Sequence, residues 1–458
     1  MIPSIGYCKP SKKPKMKYIL LLLFALPVWG QKSVLDTYIA TAFQQNITVQ
    51  QKSIQVEKAM IALKTAQSLY QPNLSFQGAY QSGEGGRSIA FPVGDLLNPV
   101  YSTLNALTRT TQFPQISNVE TNFFPRNFYD MKVQSTMPIF NKDISINKQL
   151  QSQQIELQQV DLSLYKRELV KQIKTAYYQY LLSLGLQKVY QNSLHVAQEG
   201  KKINQKLVEN GKGLPAYILR SDSEIAQIQA QQAEASKQSE SARMYFNFLL
   251  NVPLTNEILV DFEVDKAIQE VIRTSSSEGN REELNLLAKS ISMQETVLKM
   301  NESFYLPKLN GFLNLGSQSS NWALNSKSAY YILGLQVDVP IYSGKRNTLK
   351  VKQSQLDVAL AKNTLDLTAK QLNLATETAQ KGLKSSLVGF QASTKSLEAA
   401  SAYQRLIEKG FHEGVNSYLE TVDARNQWMN AQINYQLNQF KVLIAAAAYE
   451  REAALYPL

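Results

Sequence analysis

Leu333-Gly334-Leu335-Gln336-Val337-Asp338-Val339-Pro340-Ile341-Tyr342 alternates large apolar side chains with small or polar ones and is punctuated by a proline near its end. A period of two with one apolar face is the signature of a β-strand that buries one side only. A similar run lies far upstream. There Tyr129, Met131, Val133, Ser135, Met137 and Ile139 alternate with Lys132, Gln134 and Thr136, and Met137-Pro138-Ile139-Phe140 ends the run as Val339-Pro340-Ile341-Tyr342 ends the other. Each run has a partner before it. Leu74, Phe76, Gly78 and Tyr80 alternate with Asn73, Ser75, Gln77 and Ala79, and Leu309, Gly311, Leu313 and Leu315 with Asn310 and Asn314. Two strand pairs, about 72–140 and 307–342, are therefore expected in a chain whose remaining periodicity is helical.

Working outward, the two pairs belong to one duplicated unit. Lys206-Leu207-Val208-Glu209-Asn210-Gly211 matches Arg405-Leu406-Ile407-Glu408-Lys409-Gly410, and the spacing Gly213, Tyr217, Asp222 recurs as Gly414, Tyr418, Asp423. These correspondences occur in the same order at a nearly constant offset, the mark of an internal repeat. Tyr70-Gln71-Pro72-Asn73-Leu74 likewise matches Tyr305-Leu306-Pro307-Lys308-Leu309, but at a larger offset. The first copy thus carries an insertion, placed within 81–127 and rich in glycine and proline, which reads as a surface loop. A helix is expected over about 33–70, with Ile47, Ile54, Ala59, Ile61 and Leu63 on a recurring face. Long proline-free helices follow over about 143–210 and 346–409, and shorter ones over about 215–250 and 417–454. A rod of about 65 residues is about 100 Å long. The implied division is a first repeat over 31–250, a linker over 251–282 and a second repeat over 283–458.

Residues 1–30 read as a secretory signal. Lys12, Lys13, Lys15 and Lys17 precede an eight-residue apolar run over 19–26, with small residues Val28 and Gly30 before a cleavage point. The run is too short to span a bilayer, which weighs against the alternative of a membrane anchor. Met16 is an alternative translation start. Removing 1–30 takes away five lysines and no acids, so the formal charge falls from +11 to +6. That is mild for this length, and no basic patch interleaved with aromatics is present, so nucleic acid is not an expected partner. The only cysteine, Cys8, leaves with the signal, which excludes disulfides and thiolate metal sites in the mature chain.

After residue 30 no segment is apolar enough for a spanning helix. The other structure that satisfies every backbone group inside a bilayer is a closed β-barrel. Strands of about ten residues suit it, with apolar faces toward lipid and Gln77, Lys132, Gln134, Thr136, Gln336 and Asp338 lining a wet lumen. Four strands cannot close around a channel, so copies must combine: eight strands from two chains or twelve from three. The alternative is a small soluble sheet capping a helical bundle, although isolated hairpins are marginal.

The duplicated helix–hairpin–helix order, the proline-punctuated strand ends and the segment from Gly410-Phe411-His412-Glu413-Gly414-Val415-Asn416-Ser417-Tyr418-Leu419-Glu420-Thr421-Val422-Asp423 to Ala424 resemble the TolC-like outer membrane efflux proteins, over essentially all of 33–454. The resemblance implies a mainly α protomer with a membrane β-barrel: a homotrimer with twelve barrel strands, continued by a coiled-coil tunnel across the periplasm, with 251–282 in a belt around it. It implies an exit duct of a tripartite efflux or type I secretion system. The expected partners are outer membrane lipid, a periplasmic adaptor and an inner-membrane pump. It implies a gate at the helical tip, with Glu420 and Asp423 at the family's carboxylate-ring positions. Phe411 and Asn416 stand where the family has a latching tyrosine and basic residue, without the hydroxyl or the charge. It implies adaptor contacts at Lys212, Gly213 and Leu214 and at Glu413, Gly414 and Val415. On the residues alone, Ser417-Tyr418-Leu419-Glu420 equally fits a helix capping box.

Two other classes compete. An exported coiled-coil stalk or adhesin would need no lipid-suited strands. An enzyme would need a site constellation, yet His195 and His412 are far apart in sequence, with no zinc-type spacing or nucleophile elbow around them. No catalytic residue, metal or cofactor is expected.

Overall fold

The computed structural model describes residues 33–124, 127–273, 279–320, 322 and 324–458. The expected signal segment and Cys8 lie outside the described residues. In place of one helix over 33–70 there are two, α1 (Val34–Gln45) and α2 (Ile47–Ser68). They break at Asn46, whose side-chain oxygen accepts from the Thr48 and Val49 N–H groups while its amide donates to the buried Leu249 carbonyl. A single asparagine thus caps one helix and ties the joint to a distant part of the chain.

The first strand pair is β1 (Asn73–Gln81) and β4 (Phe128–Phe140). Between them, the stretch expected as a surface loop over 81–127 is a small folded insert: β2 (Ser88–Phe91), α3 (Val93–Thr108) and β3 (Val119–Asn122), with β2 and β3 antiparallel. Three asparagines staple the returning chain to α3. Asn98 exchanges hydrogen bonds with the backbone of Ile116, Asn105 does the same with Phe113, and Asn118 accepts from the Asp95 N–H near the start of the helix.

Then come α4 (Lys142–Glu209), α5 (Pro215–Leu250), α6 (Val264–Arg273) and α7 (Glu282–Glu302). The second strand pair is β5 (Lys308–Ser319) and β6 (Ala329–Asp338), followed by α8 (Arg346–His412) and α9 (Tyr418–Glu452). The alternating run over 333–342 leaves strand geometry at Asp338. Pro340, which lacks an N–H, lies in the irregular link to α8.

The two strand pairs form one antiparallel sheet in the order β1-β4-β5-β6, so β1 and β6 are its open edges. The helices repeat this order. α2, which leads into β1, packs on α4; α4 packs on α7; α7 packs on α8, which leaves β6. α5 returns along α4, and α9 along α8 and α4.

The main core lies midway along the helices. Leu169, Ile173 and Tyr177 of α4 meet Ile39 of α1, Phe246 of α5 and Leu443 of α9. The segment 251–263 wraps this level as irregular chain. Ile258 is buried and Phe262 packs on the core, while Leu254 and Val260 point outward. The Tyr177 hydroxyl donates to the Leu259 carbonyl, and burial pushes its pKa up to about 12. Ion pairs brace the same level. Arg167 grips Glu282, and Arg451 reaches Glu168, Glu283 and Glu452.

Candidate functional site

The register of the four strands sorts their side chains onto two faces. Leu74 pairs with Ser135, Ser135 with Leu313 and Leu313 with Leu333; Phe76 pairs with Val133, Val133 with Leu315 and Leu315 with Tyr331. Directly paired residues share a face, so one face of the sheet is largely apolar, interrupted by Ser135, Ser317 and Ser319. Most of it is uncovered among the described residues: Phe76 is 70% exposed, Leu333 74% and Leu335 69%. Near one end Trp322 stacks between Tyr80 and Tyr129.

All six side chains expected in a lumen stand on the opposite face. Gln77 pairs in register with Lys132, and its amide donates to Gln134 at 2.9 Å. Thr136 lies opposite Phe312, Gln336 opposite Asn310 and Asp338 opposite Lys308. Phe312, Ile332 and Tyr330 share this face, which is therefore mixed rather than wholly polar.

At the far end of the helices each repeat turns back on a left-handed glycine, though not at the glycine pair that the repeat aligns. In the second, Gly414 has φ 77° and the N–H groups of Val415 and Asn416 both donate to the Gly410 carbonyl. In the first, the left-handed residue is Gly211, at φ 69°, and not Gly213. Gly213 is needed for close approach instead: a Cβ there would meet the Val208 nitrogen and Leu207. Lys212, Leu214, Glu413 and Val415 are exposed around these turns, as is Leu219 one turn into α5.

Glu420 and Asp423 both lie on the exposed side of the first turns of α9. The capping box forms. The Glu420 N–H donates to Ser417 Oγ, and the Ser417 N–H donates to the Glu420 carboxylate at 2.6 Å. The Asn416 amide donates to the same carboxylate at 3.3 Å. The Ser417 N–H, seconded by the Asn416 and Ser417 side chains, holds the Glu420 carboxyl below the usual glutamate range. Asp423 accepts from Gln427 at 2.7 Å. Asn416 thus binds the Glu420 carboxylate, and Phe411 rests its ring against Tyr418, with centroids 6.1 Å apart.

Residues 276–451 match the family described as "Outer membrane efflux protein". The outer membrane protein TolC of Vibrio cholerae is 23% identical over 184 residues, which is 38% of this chain and 42% of that protein. The chain thus matches less than half the length of that curated relative. The fold is shared almost throughout. The Campylobacter jejuni CmeC outer membrane channel superposes over 92% of this chain and 85% of its own, at a TM-score of 0.71 and 13% identity. The open-state MtrE outer membrane channel of Neisseria gonorrhoeae covers 92% and 88%, at 0.72 and 13%.

Residues 276–451 thus match the outer membrane efflux proteins, and the fold over 92% of the chain is that of solved outer membrane channels. The family match spans the α8–α9 turn but stops short of the α4–α5 turn.

At the tip of the helices lies a cluster that no motif in the sequence announces. Tyr418, buried to 2%, shares a 2.7 Å hydrogen bond with Ser221, and Asn204 donates to Ser221 at 3.2 Å. Arg425 donates to the Tyr418 hydroxyl and pairs with the buried Glu224 at 3.5 Å. Burial pushes the Glu224 carboxyl up despite the pull of Arg425 and Arg220. The signal was present in the repeat: the offset that relates Tyr217 to Tyr418 also relates Glu224 to Arg425, so the duplicated helices carry opposite charges at one equivalent position. His195 and His412, far apart in sequence, line one groove beside this cluster with Glu199 and Glu408. No group of three metal-ligating side chains is assembled there or elsewhere among the described residues.

Proposed function

We propose that three copies of this chain close a twelve-stranded barrel in the outer membrane and continue it as a helical tunnel into the periplasm. The assembly acts as the exit duct of a tripartite efflux or type I secretion system. The observation that carries the reading is the uncovered apolar face of a sheet whose two edges are both open. Water would solvate that face poorly, and lipid suits it. No described helix is long and apolar enough to cross a membrane, so the sheet is the element that would cross.

The helices support cyclic closure. α2 carries Ile47, Ile54 and Ile61 at heptad spacing, all exposed, while Val49, Val56, Ala59 and Ala66 face α4. α8 carries an exposed stripe of Leu349, Leu356, Leu360, Leu367 and Leu374. Apolar stripes at this spacing are coiled-coil seams without their partner. Ile61 and Leu349, then Ile54 and Leu356, lie at matching chain distances from β1 and β6. When β1 of one copy pairs with β6 of the next, α2 therefore meets the neighbour's α8 at the right height.

The duplication divides at the belt over 251–282, with 31–250 before it and 283–458 after it. The lumen would be lined by the face bearing Gln77, Lys132, Gln134, Thr136, Gln336 and Asp338. Glu420 and Asp423 from three copies would gather six carboxylates at the closed tip, and such rings favour cations. Lys212, Gly213, Leu214, Glu413, Gly414 and Val415 would receive a periplasmic adaptor, which couples the duct to an inner-membrane pump. Export through the duct is passive, and the pump supplies the energy.

Electron microscopy of the detergent-extracted protein tests the architecture. The expected particle is a threefold cylinder of about 125 Å, from a rod of about 100 Å and a barrel of about 25 Å. Compact monomers that wash off membranes would overturn the reading.

A further inference from the structure

All four helices that meet the sheet do so at one level, where α2 ends, α4 begins, α7 ends and α8 begins. Exposed cations gather there: Lys142 and Lys148 on α4, and Lys345, Arg346, Lys350 and Lys352 at the start of α8. No acid occurs between Asp338 and Asp357, Asp143 is already paired with Lys308 at 2.5 Å, and the exposed Glu302 that ends α7 is offset by the exposed Lys299 one turn before it. Cations in the first turns of α4 and α8 oppose the helix dipole, which favours negative charge at that end. Local helix stability therefore does not account for them. Exposed Tyr70, Tyr305 and Tyr342 stand beside them, at the edge of the apolar sheet face, and aromatic side chains collect at membrane–water boundaries. The opposite end of the sheet lacks this bias: among the described residues of the insert, the acids Glu84, Asp95 and Glu120 outnumber the cations Arg87 and Arg109.

We infer that this basic collar binds the anionic phospholipid headgroups of the membrane leaflet that faces the helices. The inference rests on the barrel reading and adds to it a lipid class and a leaflet. Its geometry is that of a band of cations just below an apolar wall: the wall meets acyl chains, and the cations meet phosphate at headgroup level. The attraction of one basic side chain to an anionic surface is worth about fivefold in binding.

The test reconstitutes the full chain into phosphatidylcholine vesicles doped with phosphatidylglycerol and quantifies the lipid that stays bound after mild re-extraction. Phosphatidylglycerol should be enriched at least about fivefold over its share of the bilayer. The enrichment should vanish in K345Q/R346Q/K350Q/K352Q and persist in K370Q/K381Q/K384Q/K395Q, which removes as much charge from farther along the same helix. If the first variant does not assemble, K142Q/K148Q should still lower the enrichment. Equal enrichment in collar and control variants overturns the inference. So does loss of enrichment on adding inorganic phosphate, which would mark an ion site, or capture by isolated peptidoglycan without phosphatidylglycerol enrichment, which would mark a wall polymer. Failure of the wild type to insert into any vesicle overturns the barrel reading itself.

Discussion

Arg425 and Glu224 face each other across the two repeats with little water around either. Removing one partner of such a pair leaves a buried charge uncompensated, at a cost of about 3–5 kcal/mol. Arg425→Ala should therefore loosen the first turns of α5 and α9 by roughly that amount, read as faster amide exchange confined to the tip. Burial already raises the Glu224 carboxyl in the folded state. A raised carboxyl binds its proton more tightly folded than unfolded, so its contribution improves as pH falls and worsens as pH rises through the folded value. The Arg425→Ala defect should accordingly shrink on acidification, and Glu224→Gln in the same chain should relieve it at neutral pH. A defect of equal size at all pH values would mean that lost packing, not charge, is responsible. Glu420 behaves oppositely. Its lowered carboxyl contributes stability above the ordinary glutamate range and loses it only as pH falls through the lowered value. Ser417→Ala removes one half of the capping box and should cost the start of α9 about 1 kcal/mol, visible by exchange at the same amides.

At the scale of the element, the sheet makes a two-sided prediction. Leu333→Arg or Phe76→Arg places a charge on the face assigned to lipid and should destabilise the inserted barrel by about 2–4 kcal/mol near its midplane. Gln134→Arg adds the same charge to the other face and should change folding into vesicles little. Equal damage from both would mean that the sheet packs against protein instead. The strands were legible in the sequence because a period of two survives reading without a partner, and the register confirms which residues share a face. The long helices were legible because no proline interrupts them. Three features were not. The break at Asn46 depends on the Leu249 carbonyl, 203 residues away, which no local pattern reports. The insert hid its helix because Pro92, Gly94 and Pro99 fall at or inside its start, whereas asparagine–backbone pairs hold it. The apolar residues of α2 read as one face, but Ala59 turns toward α4 while Ile47, Ile54 and Ile61 turn outward. Hydrophobicity alone does not separate the two destinations. The tip was half legible: the capping box and the turn glycines could be read, but the left-handed turn residue of the first repeat is Gly211 rather than Gly213, because α4 ends earlier in its repeat than α8 does in its own.

The whole molecule is defined by what the protomer leaves unpaired: two strand edges, two heptad stripes and one apolar sheet face. Ile54→Asp with Leu356→Asp would put like charges on both sides of the proposed seam. The expected product is a helical protomer that sediments as a monomer and conducts no ions; persistence of a threefold particle would show that the seam lies elsewhere. In the proposed assembly the tip would determine what passes. Glu420 and Asp423 are exposed in one copy and are held there by Ser417, Asn416 and Gln427, so their charges are oriented without being neutralised by a cation of their own chain. Brought together threefold, they would repel one another and draw in multivalent cations, more strongly at low salt, since exposed charges are screened within about 10 Å at 0.1 M. Glu420→Gln with Asp423→Asn should therefore lower the cation preference of single channels in planar bilayers and weaken block by a trivalent cation such as La³⁺ added from the helical side by about tenfold or more. Because Gln can still accept from the Ser417 N–H, assembly should survive that double change. Block that persists unchanged in the variant would move the constriction away from the start of α9, and the next residues to test would be the charged pair behind it, Glu224 and Arg425.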